Sequence, residues 1–287
     1  MALAAVDGHL VPLQVLRELE TPASPQNVTA QGKPTFFSQF GQDHCLIERI
    51  FKHARGLYYI DLAANDAMRW SNTYALDRYW KWNGLCIEPV QQFTIGFARS
   101  RTCTLAQVPV GNGEEVEFQD DHRNGLEYSR VAHIEQDQDA TAAKIPTNMT
   151  SAKPFRTFDV MPQRGSSRRL RTRSLEELLR LAGAPSTIDY LSLDVEGYEY
   201  NVLRDFPFGQ RQIHVLTVER PGATLHALLM RQGYCVSHNA NRNTLDIMYL
   251  STKYQRAKTL RCEQTRHMPG YINTSSDLCA ALPRSND

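Results

Sequence analysis

Short apolar runs alternate with amphipathic segments along most of this chain. Leu57-Tyr58-Tyr59-Ile60 is an apolar run that ends at Asp61 and is followed by small residues. Gly84-Leu85-Cys86-Ile87 is a second run, and it ends at Glu88 and Pro89. Between them, Ser71-Asn72-Thr73 can cap a segment whose apolar residues have helical spacing. The pattern predicts a strand, a small-residue turn, a helix and a second strand.

The same alternation continues towards the C-terminus. Apolar runs at 103–110, 188–194 and 213–219 predict three more strands. Ser174-Leu175-Glu176-Glu177 has the form of a capping box and predicts a helix between the runs at 103–110 and 188–194. Asp43 lies where an N-cap would, before apolar residues with helical spacing from Leu46 to Ala54. The last two runs, 234–237 and 245–250, predict an antiparallel hairpin. Strands that alternate with helices are typical of an α/β fold with a mostly parallel sheet and helices on both faces.

Three regions are predicted from the changes in pattern. Residues 1–34 form an N-terminal extension or linker, with a short helix around 13–20; residues 35–252 form the domain, and 253–287 a polar tail. Within the domain, residues 120–172 lack a sustained period and are too long for a plain connection. We interpret that stretch as a functional lid or a partly disordered loop, and its second half is rich in arginine.

Composition excludes some partners and leaves two compartments open. The 32 basic residues balance 31 acidic ones, so nucleic acid is not an expected partner, and there is no apolar run long enough to span a membrane. Cys86 and Cys103 are expected to pack as small hydrophobic residues, whereas Cys262 and Cys279 could form a disulfide. Three glycosylation sequons would matter only in a secreted protein. We therefore expect a cytoplasmic protein, with the secretory-pathway lumen as the alternative.

Four of the predicted strands end in carboxylates, which are Asp61, Glu88, Asp194 and Glu219. If these strands are parallel, all four acids lie at one edge of the sheet, where ligands bind in such folds. A carboxylate at the position of Glu88 can accept hydrogen bonds from both hydroxyls of a ribose. No glycine-rich diphosphate motif is present, so S-adenosylmethionine fits better than a dinucleotide. The plainer alternative is a βαβ unit whose acids are merely solvated.

Five phrases of the sequence, in the same order and spacing, resemble the FkbM-type S-adenosylmethionine-dependent methyltransferases. They are Ser38-Gln39-Phe40-Gly41-Gln42-Asp43, Asp61-Leu62-Ala63-Ala64-Asn65-Asp66, Ser71-Asn72-Thr73-Tyr74, Ile87-Glu88-Pro89 and Leu191-Ser192-Leu193-Asp194-Val195-Glu196-Gly197-Tyr198-Glu199. The resemblance implies a Rossmann-like, seven-stranded class I methyltransferase sheet. It also implies methyl transfer to a hydroxyl group of a sugar or another small natural product.

The resemblance also implies roles for individual residues. The cofactor would be bound by residues in the turn after the first strand, by the ends of two neighbouring elements and by two glutamines: Asp61, Ala63, Asn65, Asn72, Glu88, Pro89, Gln39 and Gln42. Asp194 and Glu196 would face the methyl-transfer centre. The family pattern has glycine where this chain has Ala63 and Ala67, which leaves a non-catalytic binding or scaffold protein as the alternative function.

A hydroxyl acceptor requires a base, or a metal ion that lowers its pKa. Asp194 and Glu196 are the candidate bases, and with Glu219 they could hold an ion such as Mg²⁺ through oxygen ligands. Glu196 could instead simply cap the helix that follows it. The basic loop suggests an anionic acceptor. Of the three tryptophans, at least two are expected in the core, and the other could line the acceptor pocket.

Overall fold

Two β-sheets organise the part of the chain that the structure describes, which comprises residues 3–6, 9–12, 36–123, 126–132, 167–239 and 246–254 of a computed structural model. The strands in chain order are β1 (Leu3–Val6), β2 (His9–Pro12), β3 (Tyr58–Leu62), β4 (Asn83–Ile87), β5 (Thr104–Ala106), β6 (Glu115–Arg123), β7 (Leu126–Ala132), β8 (Ser167–Arg171), β9 (Thr187–Leu193), β10 (Gln212–Glu219), β11 (Tyr234–Asn239) and β12 (Asp246–Ser251). The larger sheet has the order β11-β12-β10-β9-β3-β4-β5-β1-β2, and the smaller one has the order β7-β6-β8.

The larger sheet confirms the predicted fold class. Strands β10, β9, β3, β4 and β5 are parallel neighbours, whereas β12 is antiparallel to β10 and to β11. Without the N-terminal hairpin these are seven strands, as in a Rossmann-like methyltransferase sheet. The chain runs outward from β3 to β5 on one side and from β9 to β12 on the other. The order therefore reverses between β3 and β9, and a crevice for a ligand is expected at that point.

Two segments contain more strand than the sequence indicated. In the predicted N-terminal extension, β1 and β2 form an antiparallel hairpin, and β1 lies parallel to β5 at the edge of the larger sheet. The helix predicted around 13–20 lies outside the described residues. The predicted loop at 120–172 is strand at both of its ends, since β6 and β7 extend through residue 132 and β8 begins at residue 167.

Helices cover both faces of the sheet. They are α1 (Gln42–Cys45, continued by a π-helical turn at Leu46–Ile50), α2 (Tyr74–Arg78), α3 (Thr94–Ser100, preceded by a 3₁₀ turn at Gln91–Phe93), α4 (Leu175–Leu181), α5 (Glu199–Leu203) and α6 (Ala223–Arg231). Neighbouring residues of one strand enter different cores: Tyr59 packs in one apolar cluster and Ile60 in the other. This alternation is that of a strand buried on both faces.

The predicted helix ends have different outcomes. The cap at Ser174 is confirmed, because its hydroxyl oxygen accepts a hydrogen bond from the Glu177 amide at 3.2 Å. The N-cap predicted at Asp43 is wrong: α1 begins after Gly41, whose φ is 81°. Asp43 instead turns its carboxylate back to the preceding chain and accepts a hydrogen bond from the Phe37 amide at 2.7 Å.

A disulfide joins Cys86 in β4 to Cys103 just before β5. Both residues are buried, as expected of small hydrophobic side chains, but the expectation that they only pack is wrong. Cys45 and Cys235 are also disulfide-bonded, and no cysteine in the described ranges is free. The cysteines predicted as a pair, Cys262 and Cys279, lie outside the described residues.

Candidate functional site

The four carboxylates predicted at strand ends lie on four adjacent strands. Glu88 follows β4, Asp61 is near the end of β3, Asp194 follows β9, and Glu219 ends β10. These strands are parallel, so the acids share one edge of the sheet. A cavity of about 540 Å³ opens there, and Asp61, Glu88 and Asp194 all line it. The prediction that the acids meet at one edge is confirmed by this arrangement.

The turn after β3 forms one wall of the cavity and depends on two residues with left-handed backbone. Ala63 has a φ of 60° and Asn65 a φ of 48°. Glycine adopts this conformation without strain, whereas a Cβ makes it costly. The alanine that replaces the family's glycine therefore keeps the backbone angle that glycine would allow. Ala67, the second departure, is buried and its carbonyl oxygen accepts a hydrogen bond from Arg101 at 3.0 Å.

Glu88 links this turn to the end of β4. One of its carboxylate oxygens accepts a hydrogen bond from the Asn65 amide at 2.7 Å, and the other accepts one from the Val90 amide at 2.8 Å. The side chain is almost completely buried but lines the cavity. Each carboxylate oxygen can accept more than one hydrogen bond, so the group can also accept from a ligand. Two backbone amides thus hold it in one orientation.

Asp61 is held by a buried network around Arg101. The Arg101 guanidinium lies 3.9 Å from the Asp61 carboxylate, and it donates hydrogen bonds to the Asp77 carboxylate at 2.9 Å and the Thr73 hydroxyl at 2.6 Å. Thr73 in turn donates to Asp61 at 2.5 Å. Arg101 is fully buried. Sequence reasoning missed this residue because it follows α3 without any motif of its own.

Asn72 presents an oxygen atom that has no hydrogen-bond partner among the described residues. Its amide nitrogen donates to the Ser192 hydroxyl at 2.9 Å, which holds the side chain against the end of β9. Its Oδ1 atom is buried and accepts no hydrogen bond. Burying such an acceptor costs free energy unless a donor reaches it. Since Asn72 lines the cavity, a donor on a ligand there could supply the missing bond.

Asp194, Glu196 and Glu219 form an acidic cluster, and the first two of these residues line the cavity. Each offers an oxygen atom, and these atoms lie within 4.8 Å of one another. The pKa of Asp194 is raised well above its usual range, first because protein atoms surround it and then because Glu219 lies beside it. Although its side chain is open to solvent, it opens into the cavity, so protein still surrounds the carboxyl group. Loss of the Asp194 proton is therefore disfavoured while Glu219 is ionised beside it.

Arg220 brings positive charge to the same cluster. Its guanidinium donates to Glu196 at 3.1 Å and to Glu219 at 2.8 Å. Burial raises the pKa of the Glu219 carboxyl, but the bonds from Asp194 and Arg220 outweigh it, so that pKa is lowered overall. Glu196 has a left-handed φ of 54°, and Arg220 has one of 43°. The backbone is thus strained at both Glu196 and Arg220, whose carboxylate and guanidinium groups are hydrogen-bonded to each other.

The remaining predicted residues divide between the cavity and the core. Gln39 and Pro89 line the cavity. Gln42 does not: it is buried, and its amide nitrogen donates to Asp246 in β12 at 2.5 Å. Glu199, which sequence reasoning did not single out, accepts hydrogen bonds from the Val195 and Gly197 amides at 3.1 Å and so shapes the turn that carries Glu196.

The three tryptophans differ as expected. Trp80 and Trp82 are buried, and the Trp82 ring nitrogen donates to the Ala54 carbonyl oxygen at 2.9 Å. Trp70 is 44% exposed and lines the cavity. The structure therefore places one tryptophan at the site and two in the core.

A family model for the methyltransferase FkbM domain matches residues 61–233, which is more than half of the 287-residue chain. The chain belongs to this family. The match covers Asp61, Glu88, Asp194 and Glu219, so all four strand-end acids belong to the methyltransferase domain. Membership in a methyltransferase family implies S-adenosylmethionine as the methyl donor. No curated protein and no solved structure matches the chain.

Two features of this cavity fit such a cofactor. The Glu88 carboxylate, which backbone amides hold in place, can accept hydrogen bonds from ribose hydroxyls, and the acceptor atom of Asn72 lacks a donor among the described residues.

Within the described residues, no helix is both long enough and apolar enough to cross a lipid bilayer.

Proposed function

We propose that this FkbM-family protein is an O-methyltransferase that acts on a hydroxyl group of a sugar or another small natural product. The observation that carries the proposal is Asp194, which lines the same cavity as Glu88 and Asn72 and has an oxygen atom within 4.8 Å of the Glu219 carboxylate. A hydroxyl group is a poor nucleophile, and it needs a base beside it. A carboxyl group whose pKa is raised is a stronger base than an ordinary aspartate once it has lost its proton.

The cofactor supplies a methyl group on a positively charged sulfur when it is bound. Glu88 would accept hydrogen bonds from the ribose hydroxyls, and Asn72 Oδ1 would accept a hydrogen bond from the ammonium group of the methionine half. The turn at 61–66, with Ala63 and Asn65, would surround that half, and Pro89 would pack against the adenosine. Asp194, which follows the neighbouring strand β9 and lines the same cavity, would face the methyl group that the cofactor supplies.

Asp194 would act as the base. A positive charge nearby favours loss of its proton, since the ionised form is stabilised. Once ionised, Asp194 would accept the proton of the acceptor hydroxyl group as that oxygen takes the methyl group. Glu196 would orient the acceptor from the neighbouring turn. The rest of the acceleration would come from holding the acceptor oxygen, the methyl carbon and the sulfur in line.

A divalent ion such as Mg²⁺ is the alternative way to activate the hydroxyl group. Asp194, Glu196 and Glu219 have suitable oxygen atoms within 4.8 Å of one another. Arg220, however, already donates to Glu196 and Glu219 and supplies part of the charge that an ion would bring. We therefore expect turnover to continue in EDTA, and a strict requirement for added Mg²⁺ would assign the cluster to a metal.

Calorimetric titration with S-adenosylmethionine and with its demethylated product tests the cofactor site. Glu88→Gln should weaken binding by about 10- to 100-fold, the loss expected of one or two hydrogen bonds to a charged group. Glu115→Gln is the matched control, because Glu115 is exposed and does not line the cavity. Asp194→Asn should keep the affinity for the demethylated product but lose turnover.

The same titration separates this proposal from a scaffold protein on a decayed methyltransferase fold. A folded wild-type sample that binds neither ligand would favour the scaffold. Of the two alanines that motivated the scaffold alternative, Ala63 keeps a left-handed backbone angle that glycine adopts without strain, which supports a retained cofactor turn.

The bonded cysteines support the secretory-pathway lumen over the cytoplasm. Disulfides form and persist in oxidising compartments and are rare in the cytosol. Cys86, Cys103, Cys45 and Cys235 are all bonded, and each is buried where it serves as a structural link. We propose an acceptor that is itself made or displayed in that pathway. Thiol labelling of the protein isolated from cells under native conditions tests this, since cytosolic protein would label at these cysteines after denaturation.

A further inference from the structure

Trp70 is exposed at the mouth of the cavity although tryptophan is the largest side chain available for burial. Its relative exposure is 44%, compared with 6% for Trp80 and 1% for Trp82. It lines the same cavity as Asp194 and Glu196. An indole kept out of the core beside a reactive centre is available to a ligand.

The backbone holds Trp70 in this position at a cost. Its φ is 58°, a value that is a genuine outlier for a bulky residue and that requires support from the surrounding structure. That support is present on both sides. Trp70 forms a parallel bridge with Ser38, and Asp66 accepts hydrogen bonds from the Met68 and Arg69 amides at 2.8 and 2.6 Å. The backbone that carries the indole is therefore held on both sides of Trp70.

The surroundings of Trp70 are polar rather than apolar. The Arg69 guanidinium lies 4.1 Å from the centre of the indole ring and covers one of its faces. Gln39, Asn65 and Asp66 line the same cavity, and together with Arg69 and Trp70 they are called its rim here. Such a rim combines an aromatic face with amide, carboxylate and guanidinium groups. A ligand that carries hydroxyl groups can form hydrogen bonds with side chains of this kind, whereas a wholly apolar ligand cannot.

We propose that Trp70 is the platform on which the ring of a sugar acceptor stacks. A pyranose ring has an apolar face of C–H groups, which fits an indole, and hydroxyl groups around its edge, which fit the polar side chains of the rim. The indole would hold the ring so that one hydroxyl points to Asp194. This assignment rests on the proposed methyl transfer and restricts its acceptor to carbohydrates.

Iodide quenching of tryptophan fluorescence tests the platform on the full chain, because iodide reaches Trp70 but not the two buried tryptophans. The probes are methyl glycosides and short oligosaccharides of neutral hexoses, amino sugars and uronic acids, with the demethylated cofactor product present. At least one of these sugar classes should protect Trp70 from iodide. Trp70→Ala should weaken that sugar's binding, followed by calorimetry, at least about tenfold, whereas Trp70→Phe, which keeps an aromatic face, should lose much less.

Met68→Ala is the matched control, because Met68 is 39% exposed, lies two residues away and does not line the cavity. It should leave sugar binding unchanged. The proposal is overturned if no sugar protects Trp70, if aromatic alcohols protect it while sugars do not, or if Trp70→Ala binds sugar as tightly as the wild type.

Failure of the platform and failure of the methyltransferase proposal give different results. Titration with the demethylated product on the same samples should show Trp70→Ala within about twofold of the wild type, since the stacking loss is confined to the acceptor. Cofactor binding without sugar binding overturns the platform alone. Sugar binding without cofactor binding leaves the platform standing and overturns the proposed methyl transfer.

Discussion

Replacing Glu199 by glutamine should change the way in which the stability of the domain depends on pH. The Glu199 side chain is 3% exposed, and burial raises its pKa from an ordinary 4.5 to about 7 despite hydrogen bonds from the Gly197 and Val195 amides. The folded protein therefore binds this proton more tightly than the unfolded chain does. Between about pH 4.5 and 7 the contribution of Glu199 to the free energy of unfolding falls as pH rises.

The size of the effect follows from the shift. A difference of one in pKa between the folded and unfolded states corresponds to about 1.4 kcal/mol, so the rise of the Glu199 pKa from 4.5 to about 7 corresponds to about 3 kcal/mol. Glutamine does not titrate and still offers an oxygen to the two amides. The free energy of unfolding of Glu199→Gln, minus that of the wild type, should therefore increase by about 3 kcal/mol from about pH 4 to about pH 8.

Urea denaturation of both proteins at several pH values measures this difference, with the disulfides intact. Glu114→Gln is a matched variant with the opposite sign. Burial would raise the pKa of Glu114, but hydrogen bonds from Tyr198, Asn112 and Thr172 outweigh it and lower that pKa. Its difference curve should therefore fall as pH rises towards about 4.5 and stay level above that pH. A constant offset between the wild type and Glu199→Gln over this range would refute the reasoning.

Two further substitutions test the walls of the cavity. Ala63→Gly removes left-handed strain of about 1–2 kcal/mol and loses about 0.4–1 kcal/mol through the freer unfolded chain, so it should raise the free energy of unfolding by up to about 1.5 kcal/mol. Ala64→Gly, at a buried position without that backbone angle, should lower the free energy of unfolding by about 1 kcal/mol, and equal destabilisation in both variants would contradict the account. Arg101→Met leaves Asp61 and Asp77 buried without their positive partner, so it should lower the free energy of unfolding in urea by about 3–5 kcal/mol. The additional change Asp77→Asn should restore much of this loss. A loss below about 1 kcal/mol would show that the network does not support this wall of the cavity.

The residues that the sequence identified are those whose position depends on short-range pattern. Apolar runs that end in acids predicted the strands, and parallel alternation with helices predicted one common edge for Asp61, Glu88, Asp194 and Glu219. The cap at Ser174 was equally readable, since it depends on residues three apart. The same reasoning was wrong for Asp43, because a buried contact with the Phe37 amide took the side chain that a local cap would have used.

The features that the sequence did not reveal depend on residues far apart in the chain. Gln42 was assigned to the cofactor by its motif, yet its side chain bonds to Asp246 across the sheet. The bond between Cys86 and Cys103 has no spacing signature, and it forms because β4 and β5 are neighbours. In the sequence, nothing distinguishes Arg101 from other arginines that follow a helix. Only the fold brings it next to the Asp61 and Asp77 carboxylates.

By itself the sequence determined the order of strands and helices, the family and the row of acids at one sheet edge, because each of these follows from periodicity or from a contiguous motif. The tertiary structure alone decided which of those side chains face the cavity and which are used for packing. It also decided the proximity of the Asp194 and Glu219 carboxylates and the exposure of Trp70. The physical reason is that burial and charge at a point depend on every element packed around it, and those elements are brought together only by folding.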